Sequence, residues 1–330
     1  MGLRRVAGGL VVFLMASAFW TVSRAADSEL RKATEALLAG DLDRSSVFAS
    51  LAIKSEPKSR LAHWIKAHSL AALSGKPFEI NGQDNELLEE AQVRLDVIPS
   101  GLFPRNLVVM PKSADKKIPV LLADVSRSRI YVFTSRDGQP VLLDDFYTTI
   151  GLLGADKSRE GDQKTPLGVY RIQFEIQNPR KDGFLGKFAM TLDYPNAYDS
   201  HTGRTGSGIW IHGVPSTTHV RPPRASDGCL AVSNKDLQKL RRYIRYNETQ
   251  IVVVPRVDWL SPDDWRENAA KTGKEFARVV PSARYGGVFF VEENWPLVVT
   301  VLDGHQVERR LYFTRDAKGN LRRLLEEKVS

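Results

Sequence analysis

Cys229 is the only cysteine among 330 residues, and it sits in the run Ser226-Asp227-Gly228-Cys229-Leu230. Seventeen residues upstream of it, the apolar run Ile209-Trp210-Ile211 ends in His212-Gly213. A thiol becomes a strong nucleophile when its proton is taken, and an imidazole with a pKa near about 6.5 takes it at neutral pH once it lies within hydrogen-bond reach. These residue types therefore point to Cys229 as nucleophile and His212 as general base. Gly228 lets the backbone pass close to a substrate. The amides around Gly228, Cys229 and Leu230 are candidates for an oxyanion hole, in which each donor is worth roughly 3 kcal/mol of transition-state stabilisation. His212 also needs an acceptor on its second ring nitrogen. No nearby Asp or Asn is demanded, so the carbonyl of Gly213 or of a neighbouring residue is available for it.

The elements that must position this pair read as strands and one helix. Gly208 to His212 is strand-like, and Ser233 is a candidate N-cap for a helix through Leu240, with Asp236 in its first turn. Between them, residues 214–225 contain Pro215, Pro222 and Pro223, which restrict the loop holding the two ends. Upstream, strand periodicity covers Val120 to Val125, Arg129 to Phe133, Val141 to Ile150 and Val169 to Phe174, with a turn at Ser135-Arg136-Asp137-Gly138. Hairpins dominate and no long helix intervenes, so a largely antiparallel or mixed sheet is expected. The run Gly161-Asp162-Gln163-Lys164-Thr165-Pro166-Leu167-Gly168 has its glycines and lysine in the wrong order for a phosphate loop, and a strand follows instead of a helix. Residues 175–208 read as loop-rich, a lid or wall of the site. Within and after them, Tyr194 and Tyr198 are candidate groove walls, and Arg204, Arg221 and Arg224 are candidate forks for substrate carboxylates. Gln250 to Val254 closes the domain as a strand.

Around this core the chain changes character. Residues 26–100 carry apolar residues at three- and four-residue steps, which predicts short amphipathic helices packed as hairpins, a binding or spacer module for a protein partner. His63 and His68 within it are five apart, which does not put them on one face as a metal pair, and they read as ordinary helix residues. A linker at 98–104 follows. Residues 257–330 predict a small α+β appendage of one helix, from Pro262 to Val279, with two or three strands, and His305 in a hairpin turn. At the other end, Arg4 and Arg5 precede an apolar run to Trp20, and Ser23-Arg24-Ala25 offers small residues at a cleavage position, so residues 1–25 read as a secretory signal. Its removal takes three of the 47 basic residues and none of the 39 acidic ones, leaving a net charge of +5. That excess suits an anionic envelope polymer and, with export, makes nucleic acid a poor partner. Exported chains use structural cysteines in pairs, so a single one is either inert or reactive. His201, His212 and His219 match no common zinc spacing, and no metal or cofactor is expected.

Ile209-Trp210-Ile211-His212-Gly213 with Ser226-Asp227-Gly228-Cys229-Leu230, preceded by Lys164-Thr165-Pro166-Leu167-Gly168-Val169-Tyr170, resembles the YkuD-type L,D-transpeptidase catalytic domain in order and spacing, over about residues 119–255. The resemblance implies a mainly-β catalytic fold for residues 105–256, and with the patterns on either side the chain reads as α+β multidomain: a signal peptide (1–25), a helical module (26–100), that catalytic domain and the appendage (257–330). It implies a periplasmic enzyme whose cysteine attacks the L-centre carbonyl of diaminopimelate in a peptidoglycan tetrapeptide stem and releases the terminal D-alanine. A second diaminopimelate amine or a lipoprotein lysine then resolves the acyl-enzyme. Carried across, Cys229 is the nucleophile, His212 is the base, and Gly213, Ser226 and Gly228 belong to the two motifs. Two positions depart from the pattern: Asp227 stands where histidine is common, and Ala231 where arginine is common. Similar departures occur in a branch of the family that hydrolyses the bond between lipoprotein and peptidoglycan, so the acceptor, amine or water, is open. A catalytically silent envelope-binding protein is the competing reading.

Overall fold

The computed structural model describes residues 28–76, 82–96, 101–110, 118–280, 284–302 and 308–329. The expected signal peptide, the start of the 98–104 linker and His305 lie outside the described residues. The chain divides into two compact units, one comprising residues up to 96 with 217–219, the other 97–216 with 220–330.

The first unit is helical, as its periodicity predicts: α1 (28–38), α2 (Leu42–Ser55), α3 (Arg60–Leu73) and α4 (Asn85–Leu95). Side-chain oxygens end the free amides at two helix starts, with Asp41 accepting from Arg44 and Ser59 from Ala62. Buried Ala33, Ala49, Ala52 and Ala62 let the helices approach closely around Leu61 and Ile65. The buried Ser45 hydroxyl donates to the Ala33 carbonyl at 2.9 Å and accepts from Ser69 at 2.9 Å, so no polar group is stranded there. His68 packs against Trp64 with ring centroids 3.9 Å apart, and the His63 ring bonds the Pro57 carbonyl at 2.9 Å.

The second unit is built on an eight-stranded mixed sheet. Its strands are β1 (Val120–Asp124), β2 (Arg129–Arg136), β3 (Gln139–Tyr147), β4 (Gly168–Gln177), β5 (Phe188–Leu192), β6 (Trp210–His212), β7 (Leu230–Ala231) and β8 (Gln250–Val254). Across the sheet they run β7-β6-β5-β4-β8-β1-β2-β3. Only the β8–β1 and β7–β6 pairs are parallel. β1, β5 and β8 are buried along their whole length, which explains their continuous apolar runs. The region 175–208, expected to be loop, holds β5 and a short helix α5 (Ala197–His201). α5 is held by a reciprocal cap in which the Asn196 side chain accepts the Asp199 amide and the Asp199 carboxylate accepts the Asn196 amide. α6 (Asn234–Arg241) starts at the Ser233 N-cap, as its sequence predicts.

Beyond the sheet come α7 (Pro262–Val279), β9 (Arg284–Phe289), β10 (Leu297–Leu302), β11 (Glu308–Arg315) and β12 (Leu321–Val329). The expected two or three strands are thus four. β12 escapes the pattern because it is an edge strand with five of its nine residues exposed and one buried, and so carries no clean apolar alternation. A fifth strand, Leu107–Val109, pairs antiparallel with β9, and Phe103–Pro104 pairs with Trp259–Leu260. The sheet of the appendage is therefore completed by residues that precede β1. One fully buried guanidinium joins the two sheets: Arg310 on β11 reaches Asp193, just past β5, at 2.8 Å and Glu327 on β12 at 3.0 Å.

Candidate active site

β7 runs parallel beside β6, with Leu230 opposite Ile211 and Ala231 opposite His212. Cys229 immediately precedes β7, and His212 ends β6, so the pairing of the two strands brings these two chain segments alongside each other. The Cys229 thiol is half-buried and donates to the Gly208 carbonyl at 3.4 Å. The backbone N–H of Trp210 hydrogen-bonds the sulfur. His212 is almost wholly buried, and its Nδ1 lies 2.6 Å from the Gly213 carbonyl. A carbonyl only accepts, so Nδ1 carries the proton and Nε2 is the bare, basic nitrogen.

Two kinds of force act on this pair. Burial pushes the thiol pKa up to about 11; the Trp210 N–H opposes this, Asp227 adds to it, and the cations Arg221 and Lys157 oppose it. Burial also pulls His212 down to about 4, against the Gly213 carbonyl and helped by Arg221. At neutral pH the resting pair is consequently a neutral thiol and a neutral imidazole. Such a pair suits proton transfer during attack and does not form a standing thiolate–imidazolium ion pair.

Ser226 braces the thiol-bearing turn: its hydroxyl donates to the Cys229 carbonyl at 2.7 Å and accepts the Gly228 amide at 3.1 Å. This commits the Gly228 amide, and the parallel pairing of Leu230 with Ile211 commits the Leu230 amide to the ladder with β6, which leaves the Cys229 amide as the candidate oxyanion donor. Gly228 has φ +120°, and a β-carbon there would fall 2.5 Å from the Lys164 carbonyl. The close approach that requires glycine is thus to the 161–168 loop of the same chain. That loop is organised by Asp162, whose carboxylate pairs with the buried Lys157 ammonium at 2.8 Å and accepts amides of Ser158, Arg159 and Lys164. These bonds hold the Asp162 carboxyl down to about 2, against burial, which raises it.

The structure gathers some of the sequence-derived site residues and separates others. Ser226, Gly228 and Cys229 share one hydrogen-bonded turn, and His212 and Gly213 lie at the end of the strand paired with the one that follows it. Arg221 joins them: its guanidinium stacks 4.0 Å over Phe184 and donates to the Phe184 carbonyl at 2.8 Å. Burial lowers its pKa, while the charges of Cys229 and Asp227 raise it. Arg224 is exposed on the short strand Arg224–Ser226, which pairs with Ile150–Gly151. Tyr194 is core, with its hydroxyl donating to the Thr205 carbonyl at 3.0 Å and its ring edge-on to Tyr170. Tyr198 stacks on Tyr312 of β11. Arg204 pairs with Asp156 at 2.9 Å and lies 4.5 Å over the Trp295 ring. The last three brace loops and the appendage.

Two further residues matter and carry no signal as catalytic types. Lys157 is a buried cation acting on the thiol. Asn234 bonds the backbone just past His212-Gly213, through its Nδ2 to the Val214 carbonyl at 2.7 Å and its Oδ1 to the Val214 amide at 3.2 Å. Among the described residues no group of three His, Cys, Asp or Glu is arranged to hold a metal ion, and no helix is long and apolar enough to cross a membrane.

Comparison with known proteins follows the same residues. Residues 119–254 match the YkuD family, the L,D-transpeptidase catalytic domain. Proteins of Escherichia coli strains K12 and O157:H7, each described as "Putative L,D-transpeptidase YafK", are 27% identical over 152 residues, which is 44% of this chain and 57% of theirs. The match thus spans little more than half the length of these relatives. Bd1075 of Bdellovibrio bacteriovorus shares the fold at 22% identity, with a TM-score of 0.57 over 69% of this chain and 98% of its own. The matched segment, 119–254, carries both His212 and Cys229, so the likeness to the L,D-transpeptidase catalytic domain falls on the candidate site.

Proposed function

We propose that this protein is an exported, periplasmic cysteine acyltransferase acting on peptidoglycan tetrapeptide stems. Nε2 of His212 takes the thiol proton as the Cys229 sulfur attacks the carbonyl of the L-centre of diaminopimelate. The amide of Cys229 stabilises the oxyanion, and the proton passes to the leaving amine of D-alanine. An acceptor amine, from a second stem or a lipoprotein lysine, then attacks the thioester, with His212 again taking the proton. Arg221, beside the sulfur, is the first candidate for a stem carboxylate. The helical residues 26–100 serve as a module for a protein partner, and residues 105–256 and 257–330 as catalytic domain and appendage. The observation that supports this reading is the parallel pairing of β6 with β7, which brings the segment that follows Cys229 alongside the strand that ends in His212, whose Nδ1 is engaged by the Gly213 carbonyl.

A second acceptor, water, is favoured by Asp227 and Ala231. Ala231 is buried and bonded through its backbone to Thr149 on both sides, at 2.7 and 3.0 Å, so the fixed cation common at this position is missing. Water resolving the same thioester makes the protein a hydrolase, cleaving for instance the amide between lipoprotein and peptidoglycan.

The test is mass analysis of the protein and its products with tetrapeptide muropeptides, with and without an acceptor amine. An acyl adduct on wild type that is absent from Cys229→Ala supports the reading, crosslinked dimers assign transfer, and free tripeptide alone assigns hydrolysis. A folded protein with an intact thiol and no adduct rejects both in favour of a silent binding protein.

A further inference from the structure

The segment 230–234 zips onto the segment 211–214 residue by residue. Leu230 pairs with Ile211 and Ala231 with His212, and the Val232 amide donates to the His212 carbonyl at 2.9 Å. Asn234 then continues the ladder with its side chain, closing both the amide and the carbonyl of Val214 as a neighbouring strand would. The Gly213 carbonyl is passed over by this ladder, and that oxygen is the one His212 Nδ1 uses.

The space around Asn234 is built for it. A β-carbon on Gly213 would fall 2.2 Å from Asn234 Oδ1, and one on Gly186 would fall 2.7 Å from the same atom. The Gly213 amide is held from the other side by the Leu185 carbonyl at 3.1 Å. Both peptide groups flanking Gly213 are therefore pinned, and the direction of its carbonyl follows.

We infer that Asn234 is a positioning residue for the catalytic base: by clamping Val214 it aims the Gly213 carbonyl at Nδ1 of His212 and thereby keeps Nε2 as the bare nitrogen. The inference rests on His212 being the base of the proposed reaction. An imidazole without that acceptor divides between its two tautomers, and only one of them can take the thiol proton. The side-chain bonds of Asn234 go to the backbone of Val214, so a positioning role places its effect on turnover and leaves binding nearly untouched.

The experiment compares the full chain with its Asn234→Ala and Asn234→Asp variants by nitrogen-15 NMR of labelled histidine, in a protein with six histidines. In wild type, His212 is expected to keep Nδ1 protonated and Nε2 bare from pH 5 to 8. In Asn234→Ala both ring nitrogens are expected to report exchange between tautomers, and kcat on tetrapeptide muropeptides to fall about 10- to 100-fold with KM within about twofold. Asn234→Asp, which keeps the acceptor for the Val214 amide, is expected to lie between. A folded Asn234→Ala with the wild-type ring spectrum overturns the inference. Loss of folding in both variants overturns it as well, because Asn234 is then a general brace. A tautomer shift in a protein that never turns over muropeptides upholds the positioning role and rejects the proposed function instead.

Discussion

The Nδ1–H of His212 donates to the carbonyl of the very next residue, Gly213, at 2.6 Å. Backbone oxygen here occupies the place that a carboxylate takes in many catalytic triads, and the difference is electrostatic. A carboxylate would favour imidazolium and raise the pKa; the carbonyl orients the ring with only a dipole, so burial prevails and His212 falls to about 4.

The pH profile follows from that value. The acid limb of kcat/KM on muropeptides is expected between pH 4 and 5, not near the ordinary 6.5 of histidine. Stability shares the sign. The folded pKa lies below the unfolded one, so the His212 contribution is complete above 6.5 and is lost as pH falls toward about 4. Kinetics from pH 3.5 to 8 check the first statement, and an acid limb centred near 6.5 would reject it.

Asp227 tests how the departure from histidine bears on the thiol. Its charge is among the influences raising the Cys229 pKa, and its Oδ1 accepts a bond from Gln163 at 3.1 Å. Asp227→Asn keeps that acceptor and removes the charge. Because the side chain is exposed, the effect is worth no more than about 0.5–1 kcal/mol, a two- to five-fold faster alkylation by iodoacetamide at pH 7. Salt should shrink the difference. Equal rates for the two proteins at low salt would show that Asp227 does not act on the sulfur.

The candidate nucleophile and base stand out in the sequence because of their types and setting: one cysteine, and a histidine ending an apolar strand before glycine. The strands β1, β2, β4 and β8 are visible through their apolar runs. What the sequence hides is held by contacts between distant residues. β5 is a five-residue run between turn-forming residues, and its identity as a strand comes from pairing with β4 and β6. Tyr194 and Tyr198 have the composition of a groove wall, yet only tertiary packing decides that one bonds Thr205 and the other stacks on Tyr312. Asn234 reads as a first-turn helix residue, since its partner lies 20 residues away. The 103–109 strands cross a whole domain to find theirs.

Arg310 gives the junction between the two sheets a measurable weight. Its guanidinium is 1% exposed and bridges Asp193 and Glu327. Arg310→Met leaves two acids facing a low-dielectric seam without their cation, which costs about 3–5 kcal/mol. Urea denaturation followed by tryptophan fluorescence reads the loss. A midpoint shift worth less than about 1 kcal/mol would mean that water already reaches the carboxylates.

Gly228→Ala separates strain from chemistry at the nucleophile. The residue has φ +120°, outside what an L side chain adopts readily, and its β-carbon would meet the Lys164 carbonyl at 2.5 Å and Ile209 Cδ1 at 3.2 Å. The isoleucine methyl can turn aside, but the carbonyl belongs to a loop tied down by Asp162 and by Thr165, whose buried hydroxyl accepts the Gly151 amide at 2.8 Å. Backbone strain of about 1–3 kcal/mol and overpacking of similar size should therefore add to at least about 2 kcal/mol lost. Ser226→Ala supplies the control: it removes the hydroxyl bonds to Gly228 and Cys229 without a clash, and should cost about 1–2 kcal/mol. If Gly228→Ala proves no less stable than Ser226→Ala, the 161–168 loop yields, and glycine at 228 answers to the substrate and not to Lys164.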